Sequence, residues 1–274
     1  MNVRGLLKGK LPESDMYSLK TSFDIVGDIA IMEIPEELEK KEKEIARALK
    51  KVHKHVKTVC RKMSKREGKY RLRKFKVILG KGTETTHKEH GCRFRMDVSE
   101  VYFSPRESNE RQIIAEKTKP GEIVMVMFAG VGPYPIIMAK KNKKLKKIYA
   151  IEVNSKAFEY MKENIRINKV GDKVIPILGN VNEKCPEYSG KCDRIVMPLP
   201  KGAYEFLSLA VQCLRGKGWI HFYYWAPEDG FREAEEMIKN TAKTLGRKVK
   251  KIDIRKVLPY KPKVWKICMD IQIS

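Results

Sequence analysis

The sequence predicts an α/β protein: a mostly parallel, doubly wound sheet preceded by a small α+β module. Three observations carry this. From residue 109 onward, short apolar runs alternate with helix-like segments, the pattern of a parallel sheet with helices on both faces. One of those runs, starting at Ile123, passes through the small-residue turn Gly130-Val131-Gly132 straight into a helix-like segment. Glycine lets such a turn approach a ligand closely, and the following helix presents unpaired N–H groups to it. The residues before 98 follow a different rhythm, with a hairpin, one charged helix and basic alternating runs.

In chain order, residues 1–16 carry Gly, Pro, Ser and Asp without periodicity and read as a flexible arm. "FDIVGDIAIMEIP", Phe23 to Pro35, reads as two strands split by the turn dipeptide Gly27-Asp28. "PEELEKKEKEIARALKKVHKHV" reads as a helix with Pro35 in its first turn, acids at its start and bases toward its end, as the helix dipole favours. Basic and apolar residues alternate through Tyr70 to Leu79 and Cys92 to Val98, predicting strands with one cationic face. Then follow "NERQIIAEKTK" (helix), "EIVMVMFAG" (strand), "YPIIMAKKNK" (helix), "KIYAIEV" (strand) and "SKAFEYMKENIRINK" (helix). "DKVIPILGN" and "CDRIVMPLP" read as strands, "KGAYEFLSLAVQCLR" as a helix and "GWIHFYYWA" as a strand. The end, "KVKKIDIRKVLPYKPKVWKICMDIQI", reads as an antiparallel pair joined by a Pro-containing loop.

The 274 residues allow two domains, and the spans expected are 17–97 for the α+β module and 98–274 for the sheet domain. The formal net charge of +24, from 58 Lys and Arg against 34 Asp and Glu, exceeds what solubility needs and points to a polyanion such as nucleic acid. A uniformly lysine-rich surface would also supply the charge, but not its clustering. Six cysteines without a Cys-x-x-Cys pair or matching histidines argue against zinc. No run approaches the ~18 apolar residues of a membrane span, and the N-terminus lacks an apolar signal core. A cytoplasmic protein with reduced thiols is the expectation.

In a doubly wound sheet the turn after the first strand lies at the ligand-binding crevice. A dinucleotide site would place a third glycine where this chain has Pro133-Tyr134-Pro135, and the turn has no Lys with Ser or Thr for a phosphate loop. Glu152, at the end of the next strand, is placed to bridge ribose hydroxyls, unless it is simply a solvated acid at a strand end. A ribose-binding acid beside a turn without phosphate chemistry points to S-adenosylmethionine.

The runs "DVSEVYFSPRESNERQIIAE", "MFAGVGPYPIIMAK", "YAIEVNSKAFEYMKENIRINKV", "VIPILGN" and "DRIVMPLPKGAYEFLSLA" resemble the archaeal tRNA guanine-37 N1-methyltransferase and wyosine-biosynthesis family. The resemblance extends from Phe23 to Ile273. It implies a Rossmann-type class I methyltransferase fold, S-adenosylmethionine as methyl donor and the anticodon stem-loop of tRNA as partner, with the 17–97 module contacting RNA. It implies neither a metal nor a membrane, and a monomer is expected. Many members carry a further N-terminal module that grips the tRNA elbow, and this chain begins too late to hold a whole one.

The resemblance nominates Glu110 as the general base, where the residues alone read equally as a first-turn helix acid after Asn109 as N-cap. Arg106 and Arg111 flank the same turn and offer forked donors to the purine oxygen or a phosphate, with Arg111 also assigned to the cofactor. Tyr102 and Phe103, followed by Ser104 and Pro105, form the substrate side; either aromatic can stack a flipped base or belong to the core. Arg71 or Arg73 matches the arginine supplied to the guanine, whereas Lys74 and Lys76 read as a solvated face. The resemblance places Phe128, Ala129, Gly130, Val131 and Gly132 along the methionine end of the cofactor, Glu152 and Val153 at its ribose, and Asn180 and Val181 near its adenine.

Three residues depart from the family pattern. Val126 and Asn180 stand where aspartates are usual, and Pro198, in "MPLP" at 197–200, replaces the asparagine of a motif facing the methyl group and target base. Proline has no side-chain donor, so a neighbour replaces that asparagine or the reaction has changed. N1-methylation of guanosine 37 is the leading expectation and C7-methylation of the wyosine precursor the alternative. Aminocarboxypropyl transfer, or RNA binding without catalysis, ranks third.

Overall fold

The computed structural model describes residues 2–64, 66, 68, 70–199 and 201–274. Its contacts divide the chain into two compact units, Met1–Pro105 and Arg106–Ser274.

In the first unit, α1 (Val3–Leu7) and α2 (Glu13–Ser18) precede the hairpin β1 (Phe23–Val26) and β2 (Ile29–Met32). A 3-10 segment, Glu36–Lys41, leads into α3 (Glu42–Val52), which returns the chain to β3 (Thr58–Lys62), parallel to β2. β4 (Phe75–Leu79) closes a sheet of order β1-β2-β3-β4, and β5 (Glu84–Glu89) with β6 (Cys92–Asp97) forms a separate hairpin. α3 is amphipathic and buries Ile45, Ala46 and Leu49 against this sheet.

Three expectations differ here. The stretch expected as a flexible arm is largely helical, because Val3, Leu7 and Leu11 drop into the core of this unit. Its helices are too short for a periodicity to be visible. The unit also runs past the expected boundary at 97, since Phe103 packs on His87 and Phe94 at ring distances of 5.0 and 6.4 Å. The strand expected from Tyr70 starts only at Phe75, after a turn in which Arg71 has φ of +55°.

The second unit starts with α4 (Ser108–Glu116) and alternates β7 (Ile123–Met127), α5 (Pro133–Lys141), β8 (Lys147–Glu152), α6 (Ser155–Ile167), β9 (Val174–Leu178) and α7 (Val181–Lys184). β10 (Cys192–Met197), α8 (Leu207–Cys213), β11 (Leu214–Pro227), α9 (Phe231–Thr244), β12 (Val249–Lys261) and β13 (Val264–Ile273) complete it. Among the described residues the sheet has seven strands in the order β12-β13-β11-β10-β7-β8-β9, parallel from β11 to β9, with β13 antiparallel to both β11 and β12. The order reverses between β7 and β10, which sets the ligand crevice beyond the end of β7. This is the doubly wound sheet with a final antiparallel pair that the sequence predicts.

Alternation along the last strands splits their two faces. Ile220, Phe222, Ile267, Met269, Ile271 and Ile273 join the apolar core with α8 and α9, while His221, Tyr223, Lys266, Cys268 and Asp270 are buried on the other side.

Candidate active site

The turn after β7 is held by its neighbours. Phe128 adopts φ of +61°, uncommon for a side-chain-bearing residue, and its ring meets Phe206 edge-on at 5.1 Å. Such strain costs on the order of 1–3 kcal/mol and persists where the surroundings enforce it. Gly130 and Gly132 have φ of +57° and +87°, and Gly132 is the N-cap of α5. A Cβ on Gly132 would lie 3.0 Å from Met161 Cγ, so glycine is needed for space as well as for conformation. Asn164 on α6 donates to Val131 O at 3.0 Å, tying the turn to the next helix.

Glu152, at the end of β8, is buried rather than solvated. Its Oε2 accepts from Gly130 N at 2.7 Å, and its Oε1 accepts from Val153 N and Asn154 N at 3.0 and 2.8 Å. Burial raises its pKa, opposed by these three backbone bonds. A carboxylate offers about four acceptor positions, and three are used, so Oε2 keeps one for a ribose hydroxyl. Asn180 caps α7 by accepting from Asn182 N at 3.0 Å, with Val181 buried behind it. The acid, the glycine turn and the segment capped by Asn180 lie at the carboxyl ends of β7, β8 and β9, and this donor set fits S-adenosylmethionine.

Glu110 lies on the first turn of α4, which packs against α5, and is 5% exposed. The helix starts at Ser108, so Asn109 lies inside it and is not its N-cap. Glu110 Oε1 accepts from Tyr223 Oη at 2.5 Å and from Arg255 Nη2, and its Oε2 accepts from Arg255 Nε at 3.1 Å. Arg255 pairs in turn with Asp270, whose Oδ2 also meets Lys117 Nζ at 2.8 Å and whose Oδ1 accepts from His221 Nδ1 at 2.5 Å. Burial would lower the pKa of Arg255, but its bond to Glu110 and the surrounding negative charge raise it. Burial likewise acts to raise Asp270, and the bonds from His221 and Lys117 outweigh it and lower its pKa. Although His221, Cys268 and Asp270 bring donor atoms within 4.8 Å of one another, Lys117 and Arg255 already neutralise the aspartate. Arg111 is buried and Arg106 exposed.

The first unit has a cationic cleft lined by Lys62, Arg66, Arg71, Arg73 and Tyr102, with Asp24 as its acid and Ser104 and Pro105 at its wall. Tyr102 does not present a bare ring: the Arg66 and Arg71 guanidinium carbons lie 4.3 and 4.4 Å from its centroid. Phe103 is 8% exposed and belongs to the core, not to a stacking platform. Arg73 has a buried Nε with no hydrogen-bond partner, and its pKa is lowered by burial and by the nearby charge of Arg66.

Residues 85–252 match the TRM5/TYW2 methyltransferase domain, and residues 3–83 the TYW2 N-terminal domain. The chain belongs to the TRM5/TYW2 methyltransferase family. It is 44% identical to the Pyrococcus abyssi tRNA (guanine(37)-N(1))-methyltransferase Trm5b, over 96% of this chain and 78% of that protein. The solved complex of aTrm5 with tRNALeu superposes with a TM-score of 0.87 at 35% identity, over all of this chain and 78% of that one. TYW2 of Pyrococcus horikoshii in complex with MeSAdo superposes with a TM-score of 0.84 at 30% identity, over 99% and 97%.

Against the TRM5/TYW2 pattern, the departures have different local consequences. Val126 is buried in β7 between β8 and β10 and contributes only packing. Asn180 keeps the cap that an aspartate would make but adds an amide donor. Pro198 is half-buried just after β10, and the motif's last residue, Pro200, lies outside the described residues. Tyr223 and Arg255, the partners of Glu110, and Asp270, which holds Arg255, were not among the sequence candidates. Their one signal is polar residues alternating with large apolar ones in the final strands, which reads equally as a solvated sheet face.

Proposed function

We propose that this protein methylates N1 of guanosine 37 in tRNA, with S-adenosylmethionine as donor. The observation that carries this is the buried Glu152, bonded to Gly130 and the start of α6 at the switch point, in a chain 44% identical to a Trm5b enzyme. Bound S-adenosylmethionine supplies an electrophilic methyl group on a sulfonium. Glu152 takes a ribose hydroxyl, Asn180 and Val181 flank the adenine, and the backbone from Phe128 to Gly132 lines the methionine end. Glu110 accepts the N1 proton as the new N–C bond forms, which keeps the purine from developing positive charge. Oε2 of Glu110 carries a single donor, so a lone pair is open for that proton. Arg106 is suited to the negative charge that gathers on the guanine O6, and Arg71 and Arg73 of the first unit to tRNA phosphates.

The enzyme works on tRNA in the cytoplasm as a monomer. No described helix is long and apolar enough to cross a membrane.

Pro198 favours a second reading, C7-methylation of the wyosine precursor, because it removes the asparagine donor suited to a guanine edge. One experiment separates the two. Labelled S-adenosylmethionine is incubated with tRNA transcripts carrying G37 or A37 and with tRNA bearing the tricyclic precursor, followed by nucleoside mass spectrometry. 1-Methylguanosine from G37 alone establishes the first reading. Product only from the precursor establishes the second, and its mass distinguishes methyl from aminocarboxypropyl transfer.

A further inference from the structure

Arg255 sits between two buried carboxylates, with its Nε and Nη2 on Glu110 and its Nη1 on Asp270. We propose that Arg255 and Asp270 are positioning residues that aim the Glu110 carboxylate at its substrate, an inference that rests on Glu110 being the proton acceptor. The strand register builds the arrangement. Tyr223 and Arg255 both pair with Cys268, and His221 pairs with Asp270, so their side chains fall on the sheet face that also carries Lys266. α4 supplies Glu110 to this face.

The chain of contacts continues away from the site. Asp270 is fixed by Lys117 at 2.8 Å and by His221 at 2.5 Å; His221 Nε2 accepts from Arg194 at 2.6 Å, and Arg194 forks onto Glu122 at 2.8 and 2.9 Å. Each group is held by the next, so the guanidinium of Arg255 has one orientation, and its fork fixes the plane of the Glu110 carboxylate. Tyr223 and Arg255 Nη2 fill Oε1, leaving the open position on Oε2.

A purely structural role explains this poorly. The opposite face of the same strands is filled by Ile220, Phe222, Ile267, Met269 and Ile271, and buried ion pairs stabilise no better than well-packed apolar residues of similar volume. What directional bonds add is geometry, and misplacing a reacting group by about 1 Å can cost a hundredfold in rate.

The test compares Glu110→Gln, Arg255→Lys and Asp270→Asn in the full chain, each checked by thermal melting, with a G37 tRNA transcript under steady-state and single-turnover conditions. Glu110→Gln lowers kcat by about a hundredfold or more, within the range for loss of a general base. Arg255→Lys keeps the charge and loses the fork; Asp270→Asn leaves Arg255 in place and loses its anchor. Each is expected to lower kcat and the single-turnover rate about tenfold, with KM for tRNA and for S-adenosylmethionine within about twofold of the parent. Folded variants with parental kcat, or with changes confined to KM, overturn the positioning role while an inactive Glu110→Gln keeps the general-base reading. If Arg255→Lys fails to fold, Asp270→Asn decides; if both fail, the network serves stability and the inference is wrong. An active Glu110→Gln removes the general-base reading and this inference together.

Discussion

Arg194 Nη1 lies 2.6 Å from His221 Nε2, deep beneath α4, and makes that nitrogen an acceptor. The other ring nitrogen must then carry the proton that it donates to Asp270 at 2.5 Å, so the imidazole is neutral and in one tautomer. Burial, chiefly, together with the charges of Arg194 and Arg255, lowers its pKa below 6.5 despite the opposing pull of Asp270. The unfolded chain gains a proton on this histidine below about pH 6.5 while the folded chain does not, so stability is full above that pH and falls as pH drops toward the folded value. Thermal melts between pH 7.5 and 5.5 are expected to show a falling midpoint, and His221→Gln, which offers an amide donor and acceptor, to flatten that slope. An unchanged slope would mean that other groups cause it.

Two substitutions separate the backbone bonds that Glu152 accepts from the cofactor role proposed for it. Glu152→Ala leaves the N–H groups of Gly130, Val153 and Asn154 without their carboxylate partner, which is expected to cost about 2 kcal/mol or more in a denaturant titration. Glu152→Gln keeps one side-chain oxygen and nearly the same volume, so folding is largely retained. Its S-adenosylmethionine affinity by calorimetry is expected to fall at least about tenfold, the equivalent of one hydrogen bond to a charged group. Equal affinity would take Glu152 out of the cofactor site.

Pro198 can be tested by restoring the family residue. Pro198→Asn adds a side-chain amide at the end of β10, and the expected result is a kcat about tenfold higher on G37 tRNA with unchanged cofactor affinity, again the worth of one hydrogen bond. A drop in kcat would show that this site is built around proline, in favour of the precursor as substrate.

The charge of +24 predicts a strongly salt-dependent complex. Neutralising six or more phosphates would weaken binding by about a thousandfold between 50 and 200 mM salt. Fluorescence anisotropy with labelled tRNA would measure this, and a nearly flat dependence would remove the phosphate contacts assigned to the basic residues.

The sequence alone determined the α/β class, the final antiparallel pair, the glycine turn and the position of Glu152 at a strand end, because each rests on local periodicity or on a turn that only glycine accommodates. Short-range signals failed where helices were brief, as at Val3–Leu7, and the amphipathic helix α9 between β11 and β12 went unassigned. Tertiary structure alone decided that Phe103 is core, that Tyr102 is covered by two arginines and that Glu110 is clamped. The clamp joins residues 145 positions apart, Glu110 and Arg255, through strands whose neighbours are set by sheet order and not by sequence distance. A polar residue in an alternating strand looks the same whether water or a helix covers its face, and only the packing of α4 turned that face into a buried network.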